Sequence, residues 1–220
     1  LDQGWQTTTD QGYLVEIEWG YLVTYSMSLV PCPLAQQSPW KHLLELMIPN
    51  AHAGHDDIAD QSAIEVSVAE SLTALQPTLM RMNGLSNATY CDVFILFARG
   101  DVGTEKPEDA PPLDGISITL RGHWTAPGRR ERTPFEVETD IARGELQSTF
   151  DDSPESLTNS PAHIGPDVPG LHVQFVRPIH SLFDGIQFGE TTDRNIARTI
   201  LRNLTQTIRS SVSSGHEQLR

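Results

Sequence analysis

Positive charge and long apolar runs are both scarce in this sequence. Lysine and arginine together number 15 against 29 aspartates and glutamates, so the formal net charge is −14 at pH 7. Phosphate groups and anionic membrane surfaces repel such a chain, which argues against nucleic acid as a partner. No apolar run reaches the ~18 residues that a membrane-spanning helix needs, so we expect a protein that does not span a membrane.

The short motifs of several large enzyme classes are absent as well. The chain has no Gly-x-Ser-x-Gly nucleophile elbow and no His-Glu-x-x-His zinc-protease motif. It also lacks a phosphate-binding loop and a dinucleotide-binding fingerprint. We therefore expect a binding protein rather than an enzyme.

Cysteine is limited to Cys32 and Cys91, and each lies at the end of a strand-like run. Two isolated cysteines in an acidic chain favour one disulfide over a metal-binding pair. The alternative is two buried free thiols, because unpaired cysteine is often buried. The disulfide interpretation implies an oxidising compartment, and Leu1 in place of methionine suggests a processed N-terminus. We expect a location in the periplasm or at the cell surface, or secretion.

Alternating apolar residues predict a mainly β protein. Strand patterns cover the ranges 13–30, 63–68, 89–98, 116–124, 135–137 and 171–176. Residues 89–98 are apolar on both faces, which indicates a central, buried strand. Near the C-terminus, an apolar stripe at helical spacing opposes Arg194, Arg198 and Arg202 and predicts a helix. The stripe consists of Ile196, Ile200, Leu201, Leu204 and Ile208.

The order of these elements predicts a β-sandwich or open barrel with short helical additions and a C-terminal helix. One such addition is expected at residues 40–48, between two prolines. We expect a single domain over residues 1–220, because all-β domains of this length are commonly single. Residues 1–11 and 210–220 are polar and are predicted to fray, while residues 100–114 are rich in turn formers and predict a loop.

The histidines of the stretch Pro49 to Asp57 are the first candidates for chemistry. His52 and His55 are separated only by an alanine and a glycine, which add no bulk, so the backbone can turn and aim both rings at one point. Imidazole suits copper and zinc. Asp56 and Asp57 follow directly and can accept the second ring N–H of a ligand histidine. The alternative for a bare His-x-x-His is a solvated turn without function.

His123 is the third candidate, on the polar face of its strand, with Trp124 next to it on the apolar face. A pair of histidines in a turn and a third on a distant strand can form one mononuclear site when the fold brings them together. Considered alone, His123 is a half-buried strand histidine. His172 is a reserve ligand, whereas His42 and His163 are placed outside the site.

Several of these features together resemble a known family. They are Ser-Leu-Val-Pro-Cys at 28–32, Leu-Leu-Glu-Leu-Met-Ile-Pro followed by Ala-His-Ala-Gly-His at 51–55, Tyr-Cys-Asp at 90–92, and Arg-Gly-His-Trp at 121–124. The chain resembles the copper-binding proteins CorA and MopE of methanotrophic bacteria over roughly residues 13–180. This CorA is a copper-repressible surface protein and is unrelated to the magnesium channel.

The resemblance implies a surface or secreted β-rich protein that binds one Cu(I) through two histidines and a tryptophan oxidised to kynurenine. By position, His52 or His55 supplies the first imidazole and His123 the second. The chain departs from the family at the oxidised tryptophan, because Asn50 stands two residues before His52. We expect both turn histidines to bind, so that His52, His55 and His123 hold one copper ion.

Three hypotheses follow. The first is an extracytoplasmic copper-binding protein for acquisition, storage or delivery, whose partner is a copper-requiring enzyme or a copper transporter. The second is a zinc hydrolase, in which the same three histidines leave an open position and Asp56, Asp57 or Glu65 acts as general base. The third is a surface interaction module without metal.

Overall fold

The computed structural model describes residues 5–32, 63–64, 67–74, 78, 80, 87–148, 162–164 and 171–214. In these ranges the chain forms eleven strands, a 3-10 turn at Ile179–Ser181 and one α-helix, α1, at Asp193–Gln206. The strands are β1 (Trp5–Thr8), β2 (Leu14–Pro31), β3 (Ala63–Ile64), β4 (Val68–Ser71), β5 (Ala88–Phe97), β6 (Ile118–Thr125), β7 (Arg132–Thr139), β8 (Arg143–Ser148), β9 (Ala162–Ile164), β10 (Leu171–Val176) and β11 (Arg209–Ser214).

The long strand β2 organises the main sheet. Five strands follow the order β7–β6–β2–β5–β8, and β1, β3 and β4 also pair with β2, while β9 pairs with β5. The pairings are antiparallel, and the resulting nine-stranded sheet is open and curled into a half-barrel. The prediction of a mainly β fold is confirmed, in its open form rather than as a sandwich. None of the helical segments in the described ranges is long and apolar enough to cross a membrane.

The main core lies on the inner face of the curled sheet, where α1 packs across it against β7 and β8. The apolar stripe predicted for the terminal helix supplies the buried residues Ile196, Ile200, Leu201 and Leu204. Strand residues from β2, β5 and β6 meet this stripe from the other side. The helix therefore forms because its apolar face has a sheet to cover, as amphipathic spacing predicts.

A register shift between Ile17 and Trp19 changes which side chains of β2 face the core. Ile17 before the shift and Leu22 after it both contact the main core. Tyr21 and Val23 face the outer side, where they form a smaller core with residues of the 100–114 loop. The bulge therefore explains why core-facing residues of β2 have odd numbers before it and even numbers directly after it. The middle of β2 is apolar on both faces because both faces are covered there.

A disulfide joins Cys32, just after β2, to Cys91 within β5, with 4.8 Å between the two Cα atoms. The prediction of this bond is confirmed. It connects strands that are already neighbours in the sheet, and it closes a chain separation of 59 residues. Chain-entropy models give such a loop about 4 kcal/mol of stabilisation.

The prediction of frayed ends is wrong for residues 5–8 and 210–214, while residues 1–4 and 215–220 lie outside the described residues. Residues 5–8 form β1, with Trp5 paired opposite Ile17 of β2. Residues 209–214 form β11, which pairs with β10 along its whole length. Both segments are too polar to signal a strand, yet each finds an unpaired edge with which its backbone can bond. The helix predicted at residues 40–48 lies outside the described residues.

The other predicted elements agree closely with the structure. The buried strand expected at 89–98 is β5 (Ala88–Phe97), and the strands expected at 116–124 and 135–137 are β6 and β7. The strand expected at 63–68 is two strands, β3 and β4, that meet β2 at different positions. The residues of the 100–114 loop form turns, and two of them, Ala110 and Leu113, are buried in the smaller core.

Candidate metal centre

The structure describes one of the three predicted ligands. His123 lies in β6, while His52 and His55 lie outside the described residues, together with the neighbouring Asp56 and Asp57. The sequence prediction that all three share one ion therefore stays a prediction. What the structure adds is the environment of His123.

Strand pairing places His123 in the outer layer of the sheet, opposite Glu16 of β2 and Pro134 of β7. Gly122 precedes it and faces inward, where β6 passes so close to β2 that an added Cβ would overlap the carbonyl oxygen of Glu16. Glycine is the residue that permits this approach. The backbone that carries His123 is thus held firmly in the middle of the sheet.

The imidazole of His123 contacts a carboxylate from the neighbouring strand. Its Nδ1 atom lies 3.1 Å from Oε1 of Glu18. The direction of this contact does not make it a hydrogen bond, so it is an electrostatic contact with a buried ring nitrogen. Nδ1 is buried, while 29% of the side chain as a whole is exposed. If His123 binds a metal, Nε2 would be the ligand atom, because Nδ1 lies against Glu18.

Charges of both signs surround this histidine on the outer face. Glu18 also lies 3.6 Å from Nε of Arg121, and Glu16 pairs with Arg132 of β7. Each carboxylate therefore has a guanidinium beside it, and the two pairs are partly exposed, so each contributes little to stability. Of these two carboxylates, only Glu18 lies beside both a guanidinium and an imidazole.

Around most metal-binding histidines, the second ring nitrogen donates a hydrogen bond to a carboxylate, a carbonyl or a water, which orients the ring. Glu18 lies within that distance of Nδ1 of His123, but without the direction of a hydrogen bond. The described residues supply only this one imidazole, since no group of three His, Cys, Asp or Glu side chains within them is placed to hold an ion. His123 and Glu18 fit one corner of a copper site, and further ligands would have to come from other parts of the chain.

Trp124 lies on the opposite face of β6 and contributes to an aromatic cluster. Its ring stacks on Phe188 at 5.5 Å between centroids, and the edge of Tyr13 meets it at 5.6 Å. The prediction that Trp124 faces the apolar side is confirmed. An indole held in this cluster is directed away from the imidazole of His123, so the two side chains cannot bind the same ion.

Three other histidines lie in separate parts of the described ranges. His180 is exposed in the 3-10 turn, and its carbonyl accepts a hydrogen bond from Thr7. His163 lies in β9 opposite Thr89, and His172 lies in β10 opposite Ser213. His42 and His216 lie outside the described residues.

The sheet register limits which histidines can meet. Ala63 of β3 lies opposite Ser28, which is twelve residues along β2 from Glu16, the partner of His123. Twelve residues of strand extend about 40 Å, somewhat less across a curled sheet. A fully extended chain reaches about 28 Å over the eight residues from His55 to Ala63, and about 38 Å over the eleven from His52. Along a straight strand both reaches fall short of that span, that of His52 slightly and that of His55 by about 12 Å. A site shared with His123 therefore requires the curl of the sheet to shorten the path, most of all for His55.

A buried charge pair on another part of the sheet was not predicted. Glu70 of β4 pairs with the guanidinium of Arg177, and the same carboxylate accepts a hydrogen bond of 2.6 Å from Thr24. Arg177 also lies over the ring of Phe97, 5.5 Å from its centroid. No short motif marks such a network in the sequence, because its members come from β2, β4, β5 and the chain after β10.

The carboxylate of Glu18 was also missed, although a signal for it exists. Glu16 and Glu18 alternate with Val15 and Ile17 at the start of β2, which predicts both on a polar face. Pairing of β2 with β6 was needed to bring Glu18 next to His123.

The chain matches no protein-family model, no curated protein and no solved structure.

Proposed function

We propose that this chain is an extracytoplasmic copper-binding protein in which His52, His55 and His123 hold one copper ion. The observation that carries the proposal is the contact between Nδ1 of His123 and Oε1 of Glu18, which leaves Nε2 for the metal. Neutral imidazole suits copper, which also binds most tightly of the first-row divalent ions. The role would be acquisition, storage or delivery to a copper-requiring enzyme or a copper transporter.

The disulfide supports both the location and the choice of ligands. Cys32 and Cys91 are bonded to each other, so neither offers a thiolate. A disulfide is typical of proteins outside the cytoplasm. With both cysteines bonded, a thiolate site is excluded, and the proposal takes its ligands from the histidines.

The sheet register makes another histidine, His163, a competitor of His123 for the place of the third copper ligand. Read from Ile64 back to Ala63, β3 leads toward the Cys32 end of β2, away from His123. His163 lies near that end, because β9 pairs with Ala88–Tyr90 next to the disulfide. His123 has a carboxylate beside it, whereas the path from the start of β3 to His163 is shorter. Substituting each histidine in turn therefore decides which of the two is the third ligand.

The direct test is metal analysis of the protein purified from its native host. About one copper per chain would support the proposal. Zinc at that ratio would favour the hydrolase hypothesis, for which Asp56, Asp57 and Glu65 were the candidate bases. Protein without metal after purification from copper-replete cells, and without submicromolar copper affinity in vitro, would favour the interaction module.

A further inference from the structure

A groove of about 280 Å³ lies between the start of β8 and the exposed side of α1. Three arginines line it, Arg143 from β8 and Arg198 and Arg202 from consecutive turns of α1. Its lining also includes the apolar residues Leu201 and Ile141. The periodicity of the sequence shows that Arg198 and Arg202 lie on one side of the helix. Only the packing of β8 against α1 brings Arg143 next to them.

The arginine of β8 is held in place. Nε of Arg143 donates a hydrogen bond of 2.6 Å to the hydroxyl of Thr205, a side chain with no exposed surface. Its Nη2 atom lies 3.7 Å from a carboxylate oxygen of Glu145, which is a long and weak contact. One edge of the guanidinium is thus fixed against the helix, which reduces the entropy lost when the other edge binds a ligand.

The two helix arginines have no acidic partner. Neither Arg198 nor Arg202 forms an ion pair with any of the residues that the structure describes, and both side chains are exposed. Arg202 makes only a long hydrogen bond to Asn203, at 3.4 Å. Two unpaired guanidinium groups one helical turn apart repel each other, and an anion between them would relieve that repulsion.

The neighbouring groove provides a contrast on the same helix. Arg194 lines it, one turn before Arg198, together with the acidic residues Glu138, Asp140 and Asp193. Those carboxylates would repel an anion there. In a chain with net charge −14, the Arg143–Arg198–Arg202 groove is therefore a local concentration of positive charge without carboxylates among its lining residues.

We propose that this groove binds a small multivalent oxyanion. Guanidinium groups match the geometry of phosphate and carboxylate oxygens and bind them through paired N–H donors. The volume of about 280 Å³ suits a ligand of a few anionic groups. The inference does not depend on the proposed copper site, because His123 lies on the outer face of the sheet and α1 packs on the inner face.

The test uses copper-free, chelator-treated protein at constant ionic strength, titrated by calorimetry with pyrophosphate and, separately, with citrate. Saturable one-to-one binding is expected, and the stronger of the two ligands distinguishes a phosphate source from a carboxylate source. The variant Arg198→Gln/Arg202→Gln should weaken binding by about tenfold or more, because two charge-assisted contacts are lost. The matched control Arg194→Gln should change it by less than about twofold.

A further variant, Arg143→Lys, keeps the charge but removes the fork that the Thr205 hydroxyl holds. It should weaken binding several-fold while thermal unfolding confirms that the variant is folded. Absence of saturable binding to wild-type protein overturns the proposal. Equal weakening by Arg194→Gln and by the double variant would also overturn it, since that result indicates diffuse charge attraction rather than a site.

Discussion

Oε1 of Glu18 lies 3.1 Å from Nδ1 of His123, across the pairing of β2 with β6. The carboxylate reaches the ring because the bulge after Ile17 ends the regular alternation of β2 at this position. If Nε2 binds copper, Glu18 supports the ligand without touching the metal. Its replacement should then change affinity while leaving the ligand set complete.

Replacing Glu18 by glutamine should lower the affinity for copper by about tenfold, as is typical for the loss of a carboxylate behind a ligand histidine. The matched control is Glu16→Gln, because Glu16 lies on the same face and strand but pairs with Arg132. Competition with a Cu(I) chelator measures both. Equal effects of the two variants would mean that surface charge, and not the contact with the ring, sets the affinity.

The Glu70–Arg177 pair predicts non-additive stability changes. The two side chains are only 12% and 14% exposed, so removing either partner leaves a charge buried without compensation. Glu70→Leu alone and Arg177→Met alone should each lower the free energy of unfolding by about 3 kcal/mol. The double variant should lose much less than the sum.

Urea denaturation of the two single variants and the double variant measures this coupling. The nearby variant Thr24→Val serves as a partial control, because it removes only the hydroxyl that donates to Glu70. Losses that add up in the double variant would show that the two charges do not depend on each other.

Breaking the disulfide should destabilise the chain without changing its sheet order. Cys32 directly follows β2 and Cys91 lies in the neighbouring strand β5, so the bond acts mainly on the unfolded chain. Replacing both by alanine should lower the free energy of unfolding by about 2 to 4 kcal/mol. The check is thermal unfolding beside wild-type protein, with thiol titration of the denatured, unreduced wild type. Two reactive thiols in that titration would refute the bond.

Asp92 predicts a pH effect of the opposite sign from that of most carboxylates. Burial beside the disulfide raises the pKa of this side chain above its usual value. The folded state then holds the proton more tightly than the unfolded state, so the carboxylate costs stability as pH rises through the range between the two pKa values. Above that range the cost is constant.

Asp92→Asn should consequently raise the free energy of unfolding at pH 7, by less than about 1 kcal/mol because the group is partly exposed. The gain should disappear near pH 3, where the wild-type carboxyl is protonated as well. Asp109→Asn, at an exposed loop position, is the control and should change little. A gain that persists unchanged at pH 3 would assign the effect to side-chain packing instead of charge.

Elements with a strong apolar signal could be predicted from the sequence, and polar strands could not. The strand β5 is apolar on both faces and α1 carries an apolar stripe, so each signal required only neighbouring elements against which the apolar residues could pack. In β8 the alternation is reversed, because Arg143 and Gln147 face the helix and bond to Thr205 while Leu146 faces outward. A pattern that assigns apolar residues to the core cannot recognise such a strand.

The candidate site shows the same limit. His123 on a polar face follows from alternation within one strand, and the disulfide follows from the two cysteines being placed at strand ends. The neighbours of His123 depend on pairing between strands far apart in sequence, and on a bulge at Glu18 that has no marked sequence signal. The prediction that His52 and His55 join it concerns residues outside the described ranges.

The most direct test of the copper proposal is the Cu(I) affinity of His123→Ala, measured by chelator competition beside wild type and His163→Ala. A site closed by His123 should lose more than about tenfold in affinity in the first variant, because one ligand of the chelate is gone. His163→Ala should bind as wild type does. Unchanged affinity in His123→Ala, with or without a loss in His163→Ala, would contradict the assignment of His123 as a ligand.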